Sequence, residues 1–340
     1  MRVTEEIFKN IIRGSVSAYE DEQGRLRTTR FTPAQSEVIA RSIPNNVYQQ
    51  AGMRLDFYTD AESIEMAFVY AHNTSRLFMS VDVYVDGLMS YVYHEGNCVD
   101  NKDGEFRYAF EKKGRKRVTV YLPFSVELYI TRFELDGAEY VTPYEDYSGF
   151  VYVIGDSITQ GFDTDYTSYS YVNLAMRRLN LDYINQGVGG YYYEAESLDE
   201  HLFDGNRKPD MILLSYGSND WFKKDRDSFE ADTAEYYKRL REIYPDTPVL
   251  SLTPVWRSDC YKVTKVGSFD YVRNYITATA LEYEDIYVLN GDKLVPHMSE
   301  FFRDVRLHPS TLGFEAYGIA VSDAIQKILK LEPQTPFLLG

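Results

Sequence analysis

Five apolar residues, Phe150-Val151-Tyr152-Val153-Ile154, run without interruption into Gly155-Asp156-Ser157. A run of that length closed by a small-residue turn predicts a buried strand. Reaction chemistry in open α/β sheets collects at the C-terminal edge of such strands, and the Ser157 hydroxyl stands at that edge.

The remainder of the second half repeats this layout. Further strands are predicted at Tyr183-Ile184-Asn185, Met211 to Ser215, Val249 to Thr253 and Ile286 to Asn290, and helices at Tyr169 to Asn180, Ser228 to Tyr244, Ser268 to Tyr283 and Leu312 to Leu331. The alternation predicts an α/β/α domain built on a five-stranded parallel sheet over residues 150–331, followed by a tail at 332–340. The first half has a different period. Met53 to Tyr58, Ile64 to Tyr70, Ser80 to Asp86, Arg117 to Leu122 and Glu127 to Leu135 alternate apolar and polar residues, with Gly, Asn and Pro between them. Such segments without long helices predict a jelly-roll-like β-sandwich over residues 1–145, joined by the connector Thr142 to Gly149.

The formal net charge of -16 disfavours nucleic acid and anionic membranes as partners and suits a neutral or weakly charged substrate. The one basic run, Lys112-Lys113-Gly114-Arg115-Lys116-Arg117, reads as a solvated hairpin. Cys98 and Cys260 lie far apart, which speaks against a disulfide scaffold or a cysteine metal site. Asp163, Asp165, Asp199 and Asp204 are too scattered to predict a metal cluster. Met1 to Glu6 lacks a secretory pattern and no stretch approaches a membrane span, so a soluble, cytoplasmic protein is expected, with a homo-oligomer left open.

A serine hydroxyl needs a base to attack a carbonyl near neutral pH. Of five histidines, His308 is the strongest candidate, since it sits beside Pro309 in a loop before the last helix. Gly190, in Gly187-Val188-Gly189-Gly190, and Asn219, in Gly217-Ser218-Asn219-Asp220, suit an oxyanion site: a backbone N–H and a side-chain amide would join the Ser157 N–H around a developing negative oxygen. Taken alone, each motif also has a plain structural use. A lone Gly-Asp-Ser is commonly a turn, glycine clusters solve backbone geometry, and an Asn-Asp pair caps helices.

In this order the motifs resemble those of the SGNH, or GDSL-type, hydrolase superfamily. Gly155 to Gly161 is similar to its nucleophile block, Asn185 to Gly190 to its glycine block, Gly217 to Asp220 to its Gly-x-Asn-Asp block, and His308-Pro309 to its histidine block. The resemblance covers about residues 150–331 and implies that Ser157, Gly190, Asn219 and His308 carry the four diagnostic roles. The family usually places its acid three residues before the histidine, where this chain has Val305. Asp304, four residues before, is the candidate acid; Asp292 or a backbone carbonyl is the competing partner for the imidazole.

The resemblance further implies an ester hydrolase without a cofactor. An N-terminal sandwich is found in some carbohydrate esterases of the superfamily, which makes acetyl removal from a sugar or oligosaccharide ester the leading expectation. A short-chain lipid or general acylhydrolase, and a carbohydrate-binding or structural protein with a vestigial site, are the alternatives. Tyr191, Trp221, Trp256 and Arg257 are candidate pocket residues, because rings and a guanidinium fork suit a polyol.

Overall fold

A computed structural model describes residues 1–304 and 306–332. Val305 and most of the expected tail, from residue 333 onward, lie outside the described residues. The first half contains strands β1 (Ile12–Arg13), β2 (Ser17–Glu20), β3 (Leu26–Thr29), β4 (Arg54–Thr59), β5 (Ser63–Ala71) and β6 (Met79–Val85). They are followed by β7 (Leu88–Glu95), β8 (Asp103–Ala109), β9 (Lys116–Tyr121), β10 (Glu127–Asp136) and β11 (Val141–Pro143), with helices α1 (Glu5–Ile11) and α2 (Pro33–Ala40). One antiparallel sheet runs β1-β4-β9-β6-β7 with β11 beside β4, and the other runs β2-β3-β10-β5-β8. Alternate residues of both sheets, among them Leu55, Phe57, Val81, Val83, Val118 and Val120 from the first and Ile64, Met66, Phe68 and Leu128 from the second, share one apolar cluster. The pair resembles a β-sandwich.

The residues between those apolar positions behave differently from what alternation alone implies. Arg54, Asp56, Asp82, Tyr84 and Thr119 are polar, yet they too are buried, because this face of the sheet meets the second half of the chain. Arg54 Nη2 lies 2.7 Å from Asp182, the Tyr147 hydroxyl donates to Asp56 at 2.6 Å, and Tyr84 donates to Ser168 at 3.0 Å. The Ser168 N–H donates to Asp82 at 2.7 Å. Burial of these groups is tolerated because each finds a partner.

The expected hairpin at the basic run is not formed. β8 pairs with β5 while β9 pairs with β4 and β6, so the run carries the chain from one sheet to the other. Lys112, Lys113 and Arg115 are exposed, but Lys116 is buried and donates to the Ala61 carbonyl at 2.7 Å, and Arg117 pairs with Asp56 at 2.7 Å.

The second half supplies β12 (Phe150–Gly155), β13 (Asp182–Gly187), β14 (Met211–Ser215), β15 (Val249–Leu252) and β16 (Ile286–Leu289). They form a parallel sheet in the order β13-β12-β14-β15-β16. The helices are α3 (Ser157–Gln160), α4 (Tyr171–Arg178), α5 (Asp220–Lys223), α6 (Arg226–Ile243), α7 (Phe269–Ala280) and α8 (Thr311–Leu329). β12 is apolar throughout because both its faces are covered. Val151 and Val153 pack with Val172, Phe314 and Tyr317 from α4 and α8, while Tyr152 and Ile154 pack with Tyr236 and Val272 from α6 and α7.

Two further features position the site. Gly155, at the end of β12, registers with Gly187 in β13 and Ser215 in β14, so three motif-bearing loops leave the sheet side by side. Phe31, Ile39 and Val47, from the segment between β3 and β4, share an apolar cluster with Ile154 and Tyr191. This segment lies within the first 145 residues but packs on the parallel-sheet half. Its helix α2 starts from a capping box, Thr32 with Gln35, and carries Pro33 in its first turn.

Candidate active site

The turn after β12 admits only glycine at its first position. A Cβ on Gly155 would lie 2.1 Å from Thr159 Oγ1 and 2.9 Å from the Ser215 carbonyl. Asp156 then caps α3, its carboxylate accepting the Ile158 N–H at 3.0 Å. Burial pushes the Asp156 carboxyl up to about 6 even though backbone hydrogen bonds at Ile158 and Thr159 oppose it. Ser157 is the first helical residue, so its N–H has no acceptor within the helix. Its Oγ lies 2.9 Å from His308 Nε2.

His308 reaches the serine from the loop before α8. A bridge between Phe302 and Pro309, with the Ser310 N–H on the Phe301 carbonyl at 2.8 Å, folds that loop back on itself. Asp304 sits inside the fold. One of its oxygens accepts the backbone N–H groups of Arg306, Leu307 and His308 at 3.0, 2.7 and 3.0 Å, and the other lies 2.9 Å from His308 Nδ1. The loop wraps around the carboxylate, which is how a four-residue offset still closes on the imidazole. Burial opposes the charge on Asp304, but the hydrogen bonds from His308, Leu307 and Arg306 outweigh it and hold the carboxyl well below the usual carboxylate range. Asp292 is engaged elsewhere, 2.8 Å from Arg273. The other four histidines are also occupied: His72 pairs with Glu127, His94 packs on Tyr166, His201 binds Asp204 and His297 stacks on Trp256.

A second carboxylate is present that the sequence reading treated as scattered. Asp163 Oδ2 lies 3.2 Å from His308 Nδ1, and Arg76, from the loop between β5 and β6, binds both Asp163 oxygens at 2.9 and 2.6 Å. Asp163, Asp304 and His308 present donors within 4.8 Å of one another, close enough to share a cation. The Arg76 guanidinium already brings a positive charge to that place.

The glycine block is held from several sides. Gly190 adopts φ +86°, a left-handed conformation that favours glycine, and a Cβ there would meet Ile43 Cδ1 at 2.9 Å. Lys223 donates to the Gly190 carbonyl at 2.7 Å, Asn46 to the Gly189 carbonyl at 2.9 Å, and the Gly189 N–H donates to Gln160 at 2.7 Å. Beneath it the buried Arg30 donates to the carbonyls of Asn185 and Gly187 at 2.7 and 2.9 Å. Asn219 donates one Nδ2 hydrogen to the Tyr191 carbonyl at 2.9 Å, which ties its loop to the glycine block; an amide nitrogen carries a second N–H. Asp220 is structural, buried and paired with Lys224 at 2.9 Å.

The expected pocket residues are mostly not at a surface. Tyr191 is buried, stacked on Tyr192 with its hydroxyl on Glu194. Trp221 is fully buried against Phe269 and donates its indole N–H to the Gly267 carbonyl at 2.8 Å. Arg257 is buried in an ion pair with Asp259 at 2.6 Å and donates to Ser218 Oγ at 3.2 Å, so it braces the loop of Asn219. Trp256 is half-buried and packs on His297 and Phe302. Large rings such as Tyr191 and Trp221 are drawn into the core, and a buried guanidinium such as Arg257 needs its ion pair. The sequence reading missed Arg76, Arg30 and Asn46. No local motif marks them, because each acts across more than 80 residues of sequence.

Residues 153–316 match the model of the GDSL-like Lipase/Acylhydrolase family. No curated protein matches the chain by sequence. Among solved structures, a salicylyl-acyltransferase from a tetracycline biosynthetic pathway is 18% identical with a TM-score of 0.80, covering 98% of this chain and 99% of that one. A putative GDSL-like lipase from Bacteroides ovatus is 20% identical with a TM-score of 0.78 and the same coverages, 98% and 99%. A family two carbohydrate esterase from Clostridium thermocellum, solved in complex with cellohexaose, is 15% identical with a TM-score of 0.64, covering 90% of this chain and 99% of that one. The chain has an SGNH/GDSL-like hydrolase fold, and its triad-like cluster together with the family match identifies a serine hydrolase.

Proposed function

We propose that this serine hydrolase removes small acyl groups, acetyl foremost, from carbohydrate esters, with residues 150–331 as the catalytic unit and the sandwich as an accessory to it. The observation that carries the reading is the chain of contacts from Ser157 Oγ to His308 Nε2 at 2.9 Å and from His308 Nδ1 to Asp304 at 2.9 Å. The sugar assignment is supported by the likeness to family two carbohydrate esterases, whose fold this chain shares over both halves.

In this reading Ser157 Oγ attacks the acyl carbonyl carbon as His308 Nε2 takes the hydroxyl proton. Asp304 accepts from Nδ1–H and stabilises the imidazolium that forms. The N–H groups of Ser157 and Gly190 and the Asn219 amide receive the negative oxygen of the tetrahedral intermediate. Collapse breaks the bond to the alkoxide, which takes the proton from His308. Water, deprotonated by the same nitrogen, then attacks the acyl-enzyme and releases the carboxylic acid. An alcohol in place of water would give acyl transfer, the activity named for one protein of this fold.

Acetate release from acetylated xylo-oligosaccharides, run beside a chain-length panel of simple esters and an acceptor alcohol, tests the proposal. Turnover of sugar acetates above long-chain esters is expected. Preference for long acyl chains would move the substrate to lipid esters, and acyl transfer in preference to acetate release would make the protein a transferase.

A further inference from the structure

Two carboxylates and one guanidinium converge on a single nitrogen of His308. Nδ1 lies 2.9 Å from Asp304, 3.2 Å from Asp163 and 3.3 Å from Arg76 Nη2. One N–H serves one good acceptor, so the two carboxylates compete for it. Asp304 is fixed by three backbone N–H groups and makes the shorter contact. Asp163, at φ +74°, is gripped through both oxygens by Arg76, in the planar fork that suits a carboxylate. Two negative charges and one positive leave a net charge of minus one beside the imidazole, the same as a triad with a single acid.

Arg303 and Arg306 are paired with carboxylates of their own, and Asp156, whose charge also acts on His308, is common to the wild type and every variant below. Arg303 bonds the His308 carbonyl through its backbone N–H at 3.0 Å, while its guanidinium pairs with Asp165. Asp165 also accepts from Thr311, at the start of α8, at 2.9 Å. Arg306 turns away to Asp259 at 3.3 Å. Phe162 lies 5.9 Å from the imidazole, centroid to centroid, and under the Arg76 guanidinium at 4.9 Å. Asp156, below Ser157, is buried and capping α3.

We infer that Arg76, supplied by the N-terminal half, is a positioning residue for His308: by gripping Asp163 it offsets the second carboxylate and leaves Asp304 as the acid that acts on the imidazole. The inference rests on the serine-hydrolase reading and adds to it a residue from outside the matched region. It gives the sandwich a part in setting the pH range of the reaction.

The test is the pH dependence of kcat/KM on p-nitrophenyl acetate for the wild type, Arg76→Gln, Arg76→Lys, Asp163→Asn and the double variant Arg76→Gln/Asp163→Asn. Arg76→Gln leaves two uncompensated carboxylates, so the acidic limb is expected to move up by about one pH unit, a loss of about tenfold near pH 6 with a smaller change on the alkaline plateau. Asp163→Asn removes one negative charge and is expected to move the limb down. The double variant restores the charge count and returns the limb close to the wild-type position, and Arg76→Lys holds it there. A limb that stays in place in Arg76→Gln, or that moves the same way in both single variants, overturns the role; Arg76→Lys and Asp163→Asn decide the matter if Arg76→Gln does not fold. Labelling of the wild type by an organophosphorus probe separates the two levels. An unlabelled wild type overturns the serine-hydrolase reading itself, whereas normal labelling with an unmoved limb overturns only the part assigned to Arg76.

Discussion

Backbone N–H groups fix the carboxylates that frame Ser157 and His308. Asp156 caps the helix that begins at Ser157, and three N–H groups hold Asp304. Asp156 carries a cost for this. Burial raises its carboxyl to about 6, so between about pH 4 and 6 the folded protein holds a proton that the unfolded chain releases, and the stability from this group falls as pH rises through that window. Asp156→Asn keeps an acceptor for the Ile158 N–H but has no charge to bury. Its stability is expected to gain on the wild type by about 2 kcal/mol as pH rises from 4 to 6, read as a Tm difference that widens over that range. A constant Tm difference across that range, followed by differential scanning calorimetry, would contradict the account. Asn219→Ala removes an expected oxyanion donor, and kcat should fall by about 10²- to 10³-fold while Tm changes little. A normal kcat with a lowered Tm would make Asn219 only the tie to Tyr191.

The elements show which parts of the site can be read from sequence and which cannot. The nucleophile turn was legible because β12 is apolar throughout and ends in residues whose size the turn dictates, as at Gly155. The glycine block was legible for the same reason, with Gly190 held at φ +86°. Gly190→Ala is expected to lower kcat more than tenfold through a displaced N–H, with a small loss of stability; unchanged kcat would remove Gly190 from the oxyanion site. Asp304 could be placed only as a candidate, since its reach depends on how the 299–310 loop folds. Arg76 and Arg30 were not legible at all, because a side chain that pairs with a residue far along the chain leaves no periodic trace. The polar face of β4, β6 and β9 was misleading in the same way: alternation marks one face as apolar but does not say that the other is exposed.

Over the whole molecule, the two halves build one site. Arg30 and Asn46 hold the glycine block, Ile43 stands where it would crowd a Cβ at position 190, and Arg76 reaches the His308 loop, all from the first 145 residues. Among the described residues no helix is long and apolar enough to cross a membrane. A chain beginning at Glu145 would lack Phe31, Ile39 and Val47 from its own apolar cluster and is expected to lose at least tenfold in kcat and to aggregate more readily, judged by size-exclusion chromatography and activity; full activity in that chain would make the sandwich dispensable. The central claim, that Ser157 is the nucleophile and His308 its base, is tested most directly by intact-mass detection of an organophosphorus adduct. A single adduct on the wild type, mapped by peptide to residues 156–160, with none on Ser157→Ala and slowed formation on His308→Ala, is the expected result. Equal labelling of the wild type and Ser157→Ala would contradict it.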